Sequence, residues 1–297
     1  MSNENVQIYP AKTRIVPIIK LIKNLVHHSS EDYKDLLEGA EGGVIEKKNH
    51  KKFGEVVTSY KISNAEGYDG TDPLNEFDRA VHSVCISEQD VGNEYTTPAI
   101  IFRALTGKVG ESDTKIYTNQ REAILTSMMK LMSTLIWIDD ADTNKKLGYK
   151  PTEASGKLSN LLYAEFDRKT INGQDASVIH FIRKSPIMEI AKSRNQIIRY
   201  DAALLDVPHL QNTPRNITNK NYLACRVFEI KQHHMTPTIT FDDLFRKLRI
   251  TDTSRKVQMD AREVAIIFFE HLKSKGVIKT FEILKKCNKF HAFKFSY

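Results

Sequence analysis

The chain has 297 residues, of which 27% are charged and 40% are hydrophobic, a balance typical of globular proteins with room for two cores. The sequence contains no run of 18 apolar residues, and its polar start, MSNENVQIYP, predicts no secretory signal. Three widely spaced cysteines, Cys85, Cys225 and Cys287, predict reduced thiols and exclude a disulfide framework. We therefore expect a cytoplasmic protein without a membrane span.

The net charge of +7 is concentrated at one end of the chain. Residues 245–297 contain 13 Lys or Arg against 5 Asp or Glu, whereas the preceding 244 residues contain 31 against 32. Because the basic segment is also rich in Phe and Ile, it predicts a folded module with a positive surface. Such a surface is typical of a protein that binds a polyanion. A solvated basic face without a partner is the alternative.

Residues 1–70 form a lead segment to which the sequence assigns no chemical role. RIVPIIKLIKNLVH has apolar residues at helical spacing and predicts a helix that starts near Arg14. The glycines of EGAEGG predict a break in regular secondary structure, and the alternating FGEVVTSYKIS predicts a strand.

Residues 71–205 predict three helices followed by a hairpin, which is the order of a winged-helix domain. The helix ends are marked by capping chemistry, since Thr and Asp cap helix starts and Gly favours the left-handed stop. These markers are Asp72 and Pro73 for the first helix, Thr97, Pro98 and Gly107 for the second, and Thr118 for the third. Asn172-Gly173 marks the turn of a β-hairpin between LLYAEFDR and SVIHFIR.

Apolar stripes predict which faces of these helices are buried. The first helix has a stripe of Leu74, Phe77, Val81 and Val84, and the third has stripes of Ile124, Met128, Leu131, Leu135 and of Leu125, Met129, Met132, Ile136. The positions predicted to stay exposed on the third helix are Asn119, Gln120, Arg121, Thr126, Lys130 and Ser133. All but the serine are candidate DNA contacts, because Asn and Gln pair with adenine and Arg pairs with guanine. Ordinary helix capping is the alternative role of TNQR.

Residues 206–297 repeat the same order of elements. NYLACRVFEIKQHH predicts a helix, TFDDLFRKLRI a short helix capped by Thr240, and MDAREVAIIFFEHLKSKGVI a helix capped by Asp260 that ends at Gly276. KTFEILKK and FHAFKFSY alternate across KCNK and predict a hairpin, while DVPHLQNTPRNITNKN predicts the join between the domains. The sequence thus predicts an α+β, predominantly helical fold of two tandem winged-helix domains with β-hairpin wings.

The second predicted domain carries most of the candidate DNA-binding cations. They are Arg255, Lys256 and Arg262 at the start of the third helix, Lys273 at its end, Lys285, Lys286 and Lys289 at the wing tip, and Arg246, Lys247 and Arg249 on the preceding helix. We expect these groups to converge on one face. Contacts from such residues to phosphates dominate affinity and make it salt-dependent.

The run LNEFDRAVHSVCISEQD…TPAIIFRALTGK…TNQREAILTSMMKLMSTLIWID resembles the first winged-helix domain of plasmid and phage replication initiator (Rep) proteins. From about Asn219 the chain resembles their second winged helix by element order. The resemblance covers about residues 70–297 and leaves residues 1–70 unmatched. It implies binding of double-stranded DNA at repeated origin sites, recruitment of host helicase, polymerase or initiator proteins, and autoregulation. It leaves open whether the chain is a monomer or a homodimer.

The sequence shows no catalytic constellation. A nicking initiator needs two His that flank one apolar residue, but His27-His28 and His233-His234 are adjacent. LTGKVGESDTK lacks phosphate-loop spacing, and IDDAD is more typical of a turn than of a magnesium site. We therefore expect no enzyme activity, metal or cofactor. A winged-helix transcriptional regulator and a phage protein that binds a host factor are the alternatives, because fold alone does not decide function.

Overall fold

The protein has an α+β fold, as predicted from the sequence, with seven helices and four small sheets in the part that the structure describes. The structure is a computed structural model, and it describes residues 5–6, 8–18, 44–49, 56–62, 74–111, 114–138, 157–171, 174–193, 195–250, 255–286 and 289–297. Within these ranges, no helix has both the length and the apolar character needed to cross a membrane.

The lead segment contributes strands to the fold. They are β1 (Asn5–Val6), β2 (Thr13–Pro17), β3 (Val44–Asn49) and β4 (Val56–Ile62). The helix predicted from Arg14 is wrong for residues 14–17, which belong to β2, and the rest of that prediction beyond Ile18 lies outside the described residues. Ile15 and Val16 are β-branched and buried, and β2 pairs antiparallel with β10 (Ile197–Asp201). The Ile15 N–H donates to Ser87 Oγ of α1 at 2.9 Å. The strand predicted in FGEVVTSYKIS is confirmed as β4.

The first unit consists of four helices and a hairpin. Its helices are α1 (Glu76–Asp90), α2 (Pro98–Thr106), α3 (Thr118–Ser133) and α4 (Pro186–Ser193), and its strands are β5 (Tyr95–Thr96), β6 (Thr134–Ile138), β7 (Lys157–Asn160), β8 (Tyr163–Ile171) and β9 (Gln174–Arg183). β8 and β9 form the predicted hairpin, although its Asn172-Gly173 turn lies outside the described residues. β6 and β7 complete a separate sheet with the order β3-β4-β6-β7.

Capping chemistry sets the helix ends in the first unit. The prediction for α2 is confirmed, because Thr97 Oγ1 accepts from the Ile100 N–H at 3.2 Å and Gly107 has the left-handed φ of 85°. α1 is capped by Asn75, later than the predicted Asp72-Pro73, which lies outside the described residues. α3 is preceded by Tyr117 as its N-cap residue, so the prediction that Thr118 is the cap is wrong.

The second unit consists of three helices and a three-stranded sheet. Its elements are α5 (Pro214–Gln232), β11 (Thr238–Thr240), α6 (Phe241–Lys247), α7 (Arg255–Ser274), β12 (Thr280–Lys286) and β13 (Lys289–Ser296). The Thr240 cap of α6 and the β12–β13 hairpin are confirmed. Asp260 is not the cap of α7, because the helix already begins at Arg255. A 3₁₀ turn at Ala202–Leu205 and a connector at residues 206–213 link the two units.

The two units share one order of strands and one order of elements, except that β6 and β7 lie between α3 and the hairpin of the first unit. Each has a helix, a short strand, two further helices and a hairpin, and in each the short strand pairs with the second strand of the hairpin. The strand orders are therefore β5-β9-β8 and β11-β13-β12, with β1 added parallel to β8 in the first. In both units the helix before the hairpin, α3 or α7, occupies the same place in the order.

The protein has two buried apolar clusters, one formed mainly by the first unit and one mainly by the second. The first contains Val81 and Val84 of α1 with Met128 of α3, which confirms these parts of the predicted stripes. The second is aromatic, with the stacked rings of Phe269 and Phe293 at a centroid distance of 4.5 Å. Each unit therefore positions its surface residues on its own packed core.

His82 links α1 to the turn between β7 and β8 inside the first unit. Its Nε2 lies 3.2 Å from the Leu161 carbonyl oxygen and 3.0 Å from Ser185 Oγ. Burial lowers the pKa of His82 to about 4, the hydrogen bond to Leu161 opposes this shift, and the charge of Arg79 adds to it. His82 is therefore neutral in the folded protein at neutral pH.

We expect the protein to lose stability as the pH falls from 6.5 towards 4. In this window the unfolded chain protonates His82 while the folded chain does not, so the folded state becomes less favourable. From pH 7 to pH 5 this linkage amounts to about 2 kcal/mol. Urea unfolding gives the free energy of unfolding of wild type and of His82→Gln at pH 7 and at pH 5. The contribution of His82 is the difference between the stability that the two proteins lose over this pH range. Equal losses in the two proteins would exclude His82 as the source.

Candidate nucleic-acid interface

The N-terminal half of α7 and the tip of the β12–β13 hairpin lie on one surface. The Phe290 ring, 47% exposed, has the Arg262 guanidinium carbon 5.9 Å from its centroid and Lys285 Nζ 5.5 Å from it. Arg262 also lies 4.9 Å from the centroid of Phe245, so aromatic rings hold its guanidinium in place. Two of the predicted DNA-binding cations thus meet across one exposed ring.

Further exposed cations lie on the same two elements, α7 and the hairpin. Arg255 and Lys256 are exposed in the first turn of α7, where the unpaired backbone N–H groups of a helix start also favour anions. Lys286 follows Lys285 at the end of β12 and is exposed. Lys289 pairs with Lys286 in the register of the hairpin. We call Arg255, Lys256, Arg262, Lys285 and Lys286 the α7–wing surface.

Lys273 does not join the α7–wing surface. It lies 18 residues after Arg255 on the same helix, which at about 1.5 Å per residue places it about 27 Å away along the axis. The chain then returns through β12, so the exposed Lys273 lies beside the base of the hairpin, away from its tip. The expected convergence of all basic groups on one face is wrong for this residue.

The basic residues of α6 and the turn after it are directed mainly towards other parts of the protein. Lys247 Nζ lies 3.2 Å from Glu76 Oε1 of α1, and both side chains are less than 10% exposed. Arg249 donates to the Leu74 carbonyl oxygen at 2.8 Å, and Arg246 pairs with Asp243 on α6. The expected exposure to DNA is therefore wrong for Lys247, which is buried against α1. Arg249 is exposed, and its role in DNA binding stays a prediction, as does that of Arg246.

On α3, the predicted exposure is correct for three residues and wrong for three. Asn119, Arg121 and Thr126 are exposed, whereas Gln120, Lys130 and Ser133 are buried. Gln120 accepts from the Tyr117 N–H at 3.0 Å and donates to the Asn212 carbonyl oxygen at 2.8 Å. Lys130 Nζ lies 3.8 Å from Asp78 Oδ2 of α1. Ser133 Oγ donates to the Met129 carbonyl oxygen. Packing against α1 and the connector therefore buries polar groups that helical periodicity placed at the surface.

An open groove of about 830 Å³ lies between the start of α3 and the connector. Asn119 and Tyr117 line one side of it, and His209 and Asn212 line the other. Lys108 and Lys115 also lie on its wall. The exposed polar start of α3 thus opens onto a space that both units share.

A buried polar seam fixes the two units against each other. Arg14 Nη2 donates to Asn221 Oδ1 at 2.8 Å and to the Ala104 carbonyl oxygen at 3.4 Å, so β2 joins α5 to the end of α2. Asn221 Nδ2 in turn donates to the Leu105 carbonyl oxygen at 3.0 Å. These partners are between 90 and 207 residues apart in the sequence, and no local pattern indicates them. The one local signal is an arginine that directly precedes an apolar run.

The connector is anchored by a buried lysine of α5. Lys220 Nζ donates to the Leu205 carbonyl oxygen at 2.7 Å and to Asn212 Oδ1 at 3.0 Å. Burial lowers the pKa of Lys220 to about 8, and the nearby Asp206 carboxylate opposes this shift. Gln120 of α3 also donates to Asn212, so side chains of both units form hydrogen bonds to the same connector residue. The α3 start and the α7–wing surface are therefore parts of one fixed arrangement.

Metal-binding residues do not gather anywhere in the described ranges, where no group of three or more His, Cys, Asp or Glu is suitably placed. His233 and His234 are exposed at the end of α5. His27-His28 and the IDDAD acidic residues from Asp139 onwards lie outside the described residues. The expectation that the chain holds no metal stays a prediction.

Comparisons with known proteins identify no family. No protein-family model matches the chain, and no curated protein matches it. Two crystal structures of domains 2 and 3 of RctB, one of them from selenomethionine derivatives, are similar at 10% sequence identity. They cover 86% of this chain and 91% and 92% of their own, with TM-scores of 0.42 and 0.41. A likeness this weak assigns neither a family nor a function, so the function must be argued from the residues themselves.

Proposed function

We propose that the chain is a non-enzymatic, sequence-specific replication initiator that binds double-stranded DNA at repeated origin sites of a plasmid or phage genome. Two tandem winged-helix units would make the contact. The observation that carries this proposal is the meeting of Arg262 of α7 and Lys285 of the hairpin tip at Phe290. The surface combines a helix for the major groove with a basic hairpin for the neighbouring backbone.

The shared element order of the two units supports the winged-helix interpretation. A helix-turn-helix places its recognition helix in the major groove, and that helix corresponds here to α7 in the second unit and α3 in the first. The second unit carries the denser cations and would provide most of the affinity. Asn119, Arg121 and Thr126 of α3 are exposed and would make a second contact.

The chemistry of the surface favours a nucleic acid over other anions. Five cationic residues extend from the first turn of α7 to the end of β12, which suits a row of phosphates better than one small anion. Phosphate contacts fix the register of the protein, and the helix side chains read the base edges. Recruitment of host replication proteins, self-repression and dimer formation extend the proposal and rest on the resemblance to Rep proteins.

We expect the K285A/K286A variant to bind duplex DNA about tenfold more weakly than wild type. Removing two phosphate contacts should also reduce the slope of log K against log salt by about two. We expect the R255A/K256A variant to behave alike, because Arg255 and Lys256 are exposed cations at the start of the proposed recognition helix. Fluorescence anisotropy with a duplex from the intergenic DNA beside the reading frame, at two salt concentrations, measures both quantities.

The matched control is K273A/K275A, which removes the same charge from the far end of α7. Its affinity should fall by less than threefold, in line with a general effect of net charge. Equal losses in all three variants, with folding verified by circular dichroism, would contradict the proposed surface. Unchanged binding in K285A/K286A would overturn it.

A transcriptional regulator would use the same surface on different DNA. Footprinting distinguishes the two functions, because an initiator protects iterated sites at an origin and a regulator protects a single palindrome beside a promoter. A chain that binds a host protein and shows no salt-dependent affinity for duplex DNA would favour the remaining alternative, a phage protein that binds a host factor.

A further inference from the structure

The solvent-facing side of α7 carries carboxylates among its cations. Met259 is 55% exposed and Ile267 is 37% exposed, and both mark the face opposite the buried Phe268 and Leu272. At about 100° per residue, Glu263 falls near the middle of this exposed face. If α7 enters the major groove, Glu263 is therefore directed towards the bases.

A carboxylate in this position is costly for general DNA binding. It adds repulsion from the phosphates to a surface whose affinity depends on cations. No ion pair to Glu263 is present among the described side chains, in contrast to Glu282 on β12, whose Oε1 lies 3.3 Å from Lys294 Nζ. Glu263 thus presents an exposed acceptor on the candidate recognition helix, one residue after Arg262.

We infer that Glu263 is a specificity-determining residue that accepts a hydrogen bond from the exocyclic amino group of cytosine. This inference rests on the proposed function. In the major groove guanine offers two acceptors and thymine offers an acceptor and a methyl group. Adenine offers an amino donor beside the N7 acceptor, which repels a carboxylate. Cytosine offers a donor without that acceptor, so it is the base that a carboxylate prefers.

The place of Glu263 along the helix supports this role. It lies eight residues after Arg255, in the third turn of α7, and the N-terminal part of a recognition helix is the part that reaches base edges. Glu270 lies on the same exposed face, about 10 Å further along the axis. Glu270 therefore has the same charge and exposure but a position that suits base contact less well.

Selection from a random duplex library, followed by sequencing, tests the inference on the full-length chain. Wild type should enrich a motif with a fixed C·G pair, preferred about fivefold to tenfold over the other pairs at that position. Glu263→Gln should lose this preference at that one position. It should also bind random duplex more tightly, since a repulsive charge is removed. Glu270→Gln, the matched control, should bind random duplex more tightly and keep the motif unchanged.

The outcomes separate this inference from the proposed function. A wild-type motif that Glu263→Gln retains at every position overturns the role of Glu263 and leaves DNA binding intact. The same loss of preference in Glu270→Gln would also overturn it, because the effect would then follow charge alone. A wild-type chain that binds no duplex at any salt concentration overturns the proposed function, and the role of Glu263 with it.

Discussion

The Glu76→Gln substitution should lower the free energy of unfolding by about 3–5 kcal/mol, the usual result of removing one partner from a buried ion pair. Glu76 lies between two cations from different units. Its Oε2 is 3.3 Å from Arg79 Nη1, and its Oε1 is 3.2 Å from Lys247 Nζ. Burial lowers the pKa of Lys247, and the Glu76 carboxylate opposes that shift. Without this carboxylate, the buried Arg79 and Lys247 would both lose an anionic partner.

Urea unfolding of Glu76→Gln and of a matched surface variant measures the effect. Glu111→Gln is the control, because Glu111 pairs with Lys108 at 3.1 Å with the carboxylate side chain 51% exposed. Exposed pairs of this kind contribute at most about 1 kcal/mol. Equal losses in the two variants would contradict a stabilising role for the seam. Adding Lys247→Met to Glu76→Gln should recover part of the loss, because it removes one of the two cations that lose the Glu76 carboxylate.

Local chemistry allowed much of the secondary structure to be predicted. The Thr97 and Thr240 caps and the Gly107 stop follow from side-chain hydrogen bonds and backbone freedom within a few residues. Both hairpins follow from alternation of side chains across short strands. The order of elements, and with it the winged-helix hypothesis, was therefore available from the sequence.

The candidate site was only partly predictable, because burial of a charge depends on distant partners. Lys130 and Lys247 have the side chains of surface residues, yet each pairs with a carboxylate of α1. Helical spacing gives the direction of a side chain and does not show what packs against it. The α7–wing cations, in contrast, lie on local elements that the second unit leaves exposed, and their predicted exposure was correct for Arg255, Lys256, Lys285 and Lys286.

The seam gives the two candidate surfaces a fixed geometry. Arg14, Asn221 and Lys220 bind α2, α5 and the connector together, and Gln120 of α3 donates to the Asn212 carbonyl oxygen of the connector. The start of α3 therefore cannot shift without breaking a hydrogen bond to the connector. Buried polar groups that lose their partners each cost about 1–3 kcal/mol. If both units contact DNA, the distance between their contacts is therefore set by the protein and not by a flexible linker.

The Gly107→Ala substitution should lower the free energy of unfolding by about 2–5 kcal/mol. Gly107 ends α2 with a φ of 85°, a conformation that costs an L-residue about 1–2 kcal/mol. A Cβ at this position would also lie 2.2 Å from the Asp206 backbone nitrogen and 2.7 Å from the Leu205 carbonyl carbon. These are backbone atoms of the 3₁₀ turn and of the connector that follows it. The end of α2 and this segment would have to separate, at a further cost of about 1–3 kcal/mol.

Gly92→Ala separates the two contributions, because Gly92 has a similar φ of 89° but no heavy atom within 4 Å of an added Cβ. It should cost about 1–2 kcal/mol, which is the conformational contribution alone. The difference between the two variants, measured by urea unfolding, then reports the close contact of α2 with the connector. If Gly107→Ala costs no more than Gly92→Ala, the connector can shift, and the fixed spacing of the two candidate surfaces would lose its physical basis. A larger cost for Gly107→Ala supports a connector held in place by α2 on one side and by Lys220 on the other.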